Sequence, residues 1–296
     1  MTIQTNSSLN LKNLIKTSKN FSLGFVIAIS SMSTGNIKAE ETPDLCKDVL
    51  GTFNSSTGAY SKSASEIAAD GIYFCAGTPD RFELSIYEMG LCTSNPIEGS
   101  PKAFSKTNCV ESMVSTTGVT ADLAGTTVDL PSAASRPANN TYTYAYIVIK
   151  NTFGLRGSLK ISDGLGGVNQ YCSTSDGSST SAAASCTPVN HTETLSSFDE
   201  IYSPDFGPAE MPSGGEVSAI LTDSSLVRST TQEGVERLIG VFATNSGTPV
   251  VINDSVAGLE VELQVTDAGY GIQFDSNTGD VIDFGSMPFK PVFTTY

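Results

Sequence analysis

Short runs in which apolar and polar residues alternate are the feature that most constrains the fold of this chain. The clearest is residues 259–266 (LEVELQVT), in which every second residue is apolar. A period of two is the geometry of a β-strand with one buried face. Residues 81–91 (RFELSIYEMGL) alternate in the same way and predict a second half-buried strand.

Other segments extend this β pattern. Residues 141–150 (TYTYAYIVIK) carry aromatic or β-branched side chains on both faces, which predicts a central strand covered on two sides. We expect residues 155–161 to pair with it through a turn near Gly154. Residues 270–274 and 280–284 flank turn-forming residues and predict a hairpin.

The fold class follows from many short strands, frequent turn signals and one weak helical patch at residues 63–69. We predict an all-β protein, an antiparallel β-sandwich with long loops and a disulfide-stabilised N-terminal extension. Residues 40–131 form a cysteine-rich β region and residues 132–296 the main sandwich region, and we favour a single domain for the two. Residues 198–215 contain three prolines and predict an irregular segment.

Residues 1–39 have the order of a signal peptide. They lack acidic residues and carry lysines, then an apolar run at residues 21–32, then Ala39 before two glutamates. The run is shorter than the roughly 20 residues that a membrane span needs. An N-terminal helix of the fold is the weaker alternative. We therefore expect a secreted, extracellular protein of the cell surface, with no membrane span after cleavage.

The cysteines agree with export. An even number of cysteines in an exported chain predicts disulfides, and six allow 15 connectivities. We expect neighbours in sequence to pair, as Cys46–Cys75, Cys92–Cys109 and Cys172–Cys186. No CxxC pair occurs and the chain has one histidine, so a zinc site is not expected.

The negative charge of the chain after Ala39 excludes some classes of partner. All 31 acidic residues follow Ala39, but only twelve of the 16 basic ones do, which leaves a formal charge of −19 on that part. Nucleic acids and anionic membranes need clustered Lys and Arg, so neither is an expected partner.

Candidate catalytic residues are few. His191 is the only histidine, lies in the polar sequence VNHTET and is expected in an exposed loop, and no GxSxG motif occurs. Asp199, Glu200, Asp205 and Glu210 offer paired carboxylates for a glycoside hydrolase, but the chain has no Trp to form a sugar platform. We do not expect an enzyme.

Calcium is the one cofactor that the sequence suggests. Asp275, Asn277 and Asp280 lie within one turn (DSNTGD) and offer oxygen ligands suited to a hard cation. The motif lacks the distal glutamate of an EF-hand loop. Asn and Gly also explain the segment as an ordinary turn.

The last residues are apolar, where a disordered tail would be polar. Phe289, Val292, Phe293 and Tyr296 are the candidate assembly residues. The favoured interpretation is a last strand of the chain's own sandwich. The alternative is a strand donated to a neighbouring subunit.

Together these features favour a secreted structural protein, a self-assembling filament, pilus-like or surface-layer subunit whose partners are copies of itself. Strand-edge or donated-strand contacts would join the copies. One alternative is a monomeric ligand-binding or adhesion module that depends on calcium. A carboxylate-dependent glycoside hydrolase is the third hypothesis.

Overall fold

The computed structural model describes residues 44–125, 136–199, 202–210 and 215–296, the side chains of 245 and 246 aside. The predicted signal peptide, residues 1–39, lies outside the described residues. The described chain is mostly β, so that part of the fold prediction is confirmed. Its helices are α1 (Cys46–Val49) and α2 (Ala64–Ala69), with 3₁₀ turns at Gln232–Gly234 and Thr244–Gly247.

The predicted helical patch coincides with α2. Ser63 precedes it, and the Ser63 N–H donates to the Glu66 carboxylate as part of a capping box. Neither helix in the described part of the chain has the length and apolar character of a membrane-spanning segment.

The described residues form twenty-one strands. In chain order they are β1 Phe53–Asn54, β2 Ala59–Ser63, β3 Phe74–Gly77, β4 Arg81–Cys92, β5 Ile97–Glu98, β6 Ala103–Phe104, β7 Cys109–Asp122, β8 Asn140–Tyr142, β9 Tyr144–Lys150, β10 Thr152–Arg156, β11 Ser158–Ser162, β12 Val168–Cys172, β13 His191–Thr194, β14 Asp205–Glu210, β15 Glu216–Thr222, β16 Arg237–Ala243, β17 Val250–Ile252, β18 Leu259–Gln264, β19 Tyr270–Phe274, β20 Val281–Ser286 and β21 Lys290–Thr295.

The largest sheet is a curled antiparallel half-barrel of eight strands. β4 runs through it, with β7 on one side and both β9 and β10 on the other. β9 continues to β16, β15 and β14, whereas β10 continues to β13. β4 and β9 come from the two predicted regions of the chain and pair directly.

Asn151 lies between β9 and β10, the two strands that pair with β4 on the same side. Its side-chain amide donates to the carbonyls of Leu195 and Val235, at 3.1 and 3.2 Å. One buried amide thus joins the segment after β13 to the segment before β16.

Smaller sheets cover the half-barrel. They are β20–β19–β3, β18–β21, β1–β2–β11–β12, β17–β8 and β5–β6, and the only parallel strand pair among the described strands is β2 with β11. Ile147 and Ile149 of β9 belong to the main core with residues of β19 and β20, whereas Tyr146 and Val148 belong to a second cluster. Both faces of β9 are therefore buried, as predicted.

All three disulfides pair neighbours in sequence, so this prediction is confirmed. The bonds are Cys46–Cys75, Cys92–Cys109 and Cys172–Cys186. The first ties α1 to β3, near the start of the described chain. Three disulfides fit a protein of an oxidising compartment.

Two local predictions are wrong. β9 and β10 do not form a hairpin, because both pair with β4 on the same side. The segment expected to be irregular contains β14, which pairs with β15 around a bulge at Gly207 and Pro208. The bulge accommodates the proline that argued against a strand there.

Candidate functional site

The candidate assembly residues lie in β21 and directly beside it, and β21 pairs with β18. Its register is regular, from Leu259 opposite Thr295 to Gln264 opposite Lys290. Among the described strands, β21 pairs with β18 alone. The backbone of β21 is therefore bound along one edge.

Two phenylalanines anchor this segment to the half-barrel. The Phe289 ring centroid lies 6.1 Å from that of Phe82 in β4 and 5.8 Å from that of Phe242 in β16. Phe293 is 8% exposed and belongs to a third apolar cluster. Its buried neighbours in that cluster are Leu91, Tyr142, Ala145, Val250 and Ile252.

A small apolar pocket remains beside Phe293. One wall comes from the half-barrel, through Met89, Ala145 and Ile147, and the other includes Pro291 and Phe293 of β21. The contact between β21 and the half-barrel is thus apolar and incompletely filled.

The four predicted assembly residues differ in exposure. Phe289 and Phe293 are buried within their own chain, Val292 is half-buried, and Tyr296 is 71% exposed. The Tyr296 carbonyl accepts the N–H groups of Ala257 and Gly258, at 2.6 and 3.0 Å. In the described chain the segment is a strand of its own fold, and its donation to a neighbour stays a prediction.

The connection from β20 to β21 is short. Only residues 287–289 separate Ser286 from Lys290. The Met287 N–H donates to the Gly269 carbonyl and the Gly269 N–H donates to the Pro288 carbonyl, at 2.9 and 3.1 Å. This connection is the only covalent link between β21 and the preceding strands.

The outer edge of β20 is closed by other parts of the chain. The Phe284 N–H donates to the Gly177 carbonyl and the Ser179 N–H donates to the Ile282 carbonyl, both at 3.0 Å. These partners lie in the loop that Cys172–Cys186 closes. At the end of β20, a Glu193 carboxylate oxygen accepts the Ser286 N–H.

Glu193 belongs to a partly buried polar cluster that sequence reasoning missed. Burial raises its pKa to about 7, against the opposing effect of the hydrogen bonds from Ser286, and the Asp283 carboxylate raises it further. Burial also raises the pKa of Asp283 to about 6. Perturbed acids of this kind mark candidate functional sites.

His191 lies on the same side of β13 as Glu193, and it corrects a prediction. It is 5% exposed rather than part of an exposed loop. Neither ring nitrogen has a hydrogen-bond partner of ordinary geometry among the described residues. Burial lowers the pKa of His191, so the neutral ring is favoured.

The predicted calcium residues form a turn. The Asp275 carboxylate accepts the N–H groups of Asn277 and Thr278 at 2.8 and 2.9 Å, and these bonds lower its pKa. Asp280 accepts the Tyr171 hydroxyl at 2.6 Å. No cluster of three metal-ligating His, Cys, Asp or Glu side chains occurs in the described ranges. Calcium binding stays a prediction, and thermal unfolding with and without EDTA tests it.

The predicted carboxylates of a hydrolase have different environments. Asp205 binds the Arg228 guanidinium through both oxygens, at 2.9 and 2.8 Å. Asp199 and Glu210 are exposed, and Glu200 lies outside the described residues. A role of these carboxylates in glycoside hydrolysis stays a prediction.

No protein-family model, curated protein or solved structure matches this chain.

Proposed function

We propose that this protein is an exported structural subunit, with no enzymatic role, that joins copies of itself at the cell surface by exchanging β21. In the exchanged state, β21 of one copy pairs with β18 of the next. A series of such exchanges, each copy giving and receiving one strand, builds a filament or layer.

The observation that supports this proposal is the way in which β21 is attached. Its backbone is bound by one strand, and its side chains enter an apolar groove of the half-barrel. The same contacts can form between copies, because β18 and the groove are unchanged when a different β21 occupies them. The finer fold assignment, a β-sandwich with β21 between its layers, belongs to this proposal.

Burial of apolar side chains favours the exchange once β21 leaves its own groove. Burial of a Phe side chain stabilises by roughly 2–3 kcal/mol, and both Phe293 of β21 and Phe289, just before the strand, are buried. A chain without β21 exposes this surface. When β21 of a neighbouring copy fills the groove, the same apolar surface is buried again. Exchange therefore replaces contacts within one chain by equivalent contacts between two chains.

Removal of residues 287–296 tests the proposal. We expect the full chain to form polymers, seen by electron microscopy and size-exclusion chromatography, and the shortened chain to form none. A synthetic peptide of residues 287–296 should bind the shortened chain and restore its thermal stability without restoring polymers. The matched control peptide carries Ala in place of Phe289 and Phe293 and should not bind.

Two results would contradict the proposal. One is a full-length chain that stays monomeric at every concentration and forms no polymer in native material. The other is polymer growth by the shortened chain at the rate of the full chain.

A further inference from the structure

The connection between β20 and β21 lies beneath α1. Met287, its first residue, belongs to a small buried cluster with Leu45 and Ala76. Leu45 directly precedes α1, and Ala76 lies in β3. Leu45 and Met287 are 9% and 8% exposed. The disulfide Cys46–Cys75 fixes α1 to β3, so the start of the described chain covers the connection.

An ion pair joins α1 to the turn on the other side of the same bend. The Lys47 ammonium lies 2.7 Å from the Asp267 carboxylate, in the turn between β18 and β19. Gly269 ends that turn, and its backbone binds the connection through the Met287 N–H and the Pro288 carbonyl. Residues 45–47 are therefore attached to both chain segments of the bend from which β21 extends.

We propose that residues 45–47 form a strap that keeps β21 in its own chain: the strap stabilises the closed connection between β20 and β21 and releases it before β21 passes to another copy. This inference rests on the proposed function, whose exchange step the strap limits. β21 finds the same strand and the same groove in a neighbouring copy. In the exchanged state the connection runs towards that groove, so the contacts between Leu45 and Met287 are lost.

The two kinds of contact have different effects on the equilibrium. A weaker contact between β21 and its groove destabilises the closed and the exchanged states alike, so the balance between them does not move. A weaker strap destabilises the closed state alone. It therefore shifts the equilibrium towards exchange, because only a contact that differs between two states can change their relative populations.

The apolar contact is the larger part of the strap. Leu45→Ala removes most of a buried side chain, and we expect it to raise the opening of residues 287–296 about tenfold. The side chains of Lys47 and Asp267 are 47% and 36% exposed. Their ion pair should contribute about twofold, and this contribution should fall as the ionic strength rises.

Hydrogen exchange on dilute full-length protein tests the apolar contact. Amide protection of residues 287–296 is compared with that of β9, which reports global unfolding. Leu45→Ala should increase the opening of residues 287–296 more than the opening of β9. Leu45→Met keeps an apolar side chain of similar volume and should restore most of the protection.

The ion pair provides a second test that leaves the apolar contact intact. Lys47→Met should raise the opening of residues 287–296 about twofold and remove its salt dependence. Asp267→Asn suits the left-handed backbone at this position, where φ is 53°, and should add nothing in the Lys47→Met background. The matched control is Lys62→Met, which breaks the 2.6 Å ion pair with Asp70 of the α2 region and should leave the opening unchanged.

The equilibrium between closed and exchanged chains tests the role of the strap in exchange. Chains with Glu260→Cys and chains with Thr294→Cys are mixed at one concentration, brought to equilibrium and then oxidised. Leu45→Ala in both chains should increase the fraction of mixed covalent dimer. Val292→Ala weakens a contact that both states share, so it should leave that fraction at the wild-type value.

The strap and the proposed function can fail separately. The strap is overturned if Leu45→Ala opens residues 287–296 no more than β9, or if Leu45→Ala and Val292→Ala have the same effect on the fraction of mixed dimer. Local opening that depends on Leu45, in chains that never form mixed dimers, supports the strap and contradicts the function. Mixed dimers that form equally in the wild type and in Leu45→Ala support the function and overturn the strap.

Discussion

The edge of β20 and the β18–β21 pair solve the same problem in different ways. Both present strand backbone that has no sheet neighbour on one side. At β20 the chain supplies a disulfide-closed loop and a carboxylate to bind the N–H and carbonyl groups. At β21 the backbone binds a single strand, and the phenylalanines provide the attachment.

Under the proposed exchange, the edge of β20 stays closed within its own chain and β21 changes partners. Edge strands left open favour association with other chains, and proteins usually block them. A disulfide-closed loop blocks β20, whereas β21 is held by apolar contacts that, in the proposed exchange, a second copy supplies. The closed edge ends at Ser286, and three residues separate it from β21.

The largest expected effect is on the anchors of β21. Phe289→Ala and Phe293→Ala should each lower the free energy of unfolding by about 3–5 kcal/mol, because each leaves a cavity in the core. Denaturant unfolding measures the loss. Val292→Ala, at a half-buried position of the same strand, should cost about 1 kcal/mol. Equal losses at all three positions would mean that the phenylalanines do not anchor the strand.

Removal of the Cys172–Cys186 disulfide tests the closed edge. The double Ser variant should lose about 3 kcal/mol and also lose amide protection along β20. The Cys92–Cys109 pair closes a loop of similar length between β4 and β7, so its double Ser variant is the matched control. It should lose similar stability but keep the protection of β20. Equal deprotection in both variants would contradict a specific role of the loop.

The pH dependence of stability tests the contribution of Glu193. Because its pKa in the folded protein is about 7, the wild type should lose stability relative to Glu193→Gln as the pH rises from 4.5 through 7. The difference should reach about 1–3 kcal/mol at pH 8. Thermal unfolding of both proteins across this range measures it. A constant difference would show that the carboxyl is not enclosed.

Tyr296 should contribute least. Its side chain is mostly exposed, and its backbone carbonyl provides the bonds to Ala257 and Gly258. Tyr296→Ala should therefore change the free energy of unfolding by less than about 0.5 kcal/mol. A loss as large as that of Phe293→Ala would mean that the ring packs in the folded state.

Alternation predicted strands better than it predicted their partners. β18 follows directly from its period of two, and β9 follows from aromatic and β-branched side chains on both of its faces. The side-chain pattern does not decide which strands pair with each other. The hairpin expected after residue 150 is therefore absent. β9 and β10, which lie on either side of Asn151, both pair with β4 instead.

The polar cluster was harder to predict, because its inward residues are not apolar. In β13 the sequence HTET alternates, with Thr192 and Thr194 exposed and His191 buried. Because every residue of this run is polar, the sequence pattern predicts a loop. Only the packing of β13 against β20 makes His191 and Glu193 inward residues, and that contact joins segments about 90 residues apart.

Cysteine trapping tests the exchange of β21 most directly. Glu260 of β18 and Thr294 of β21 are exposed partners in the register, and all six native cysteines are already in disulfides. Glu260→Cys and Thr294→Cys are made in separate chains, mixed and oxidised. Exchange predicts a covalent dimer containing one chain of each kind. If the mixture yields only uncrosslinked chains while the double variant crosslinks entirely within single chains, β21 does not exchange.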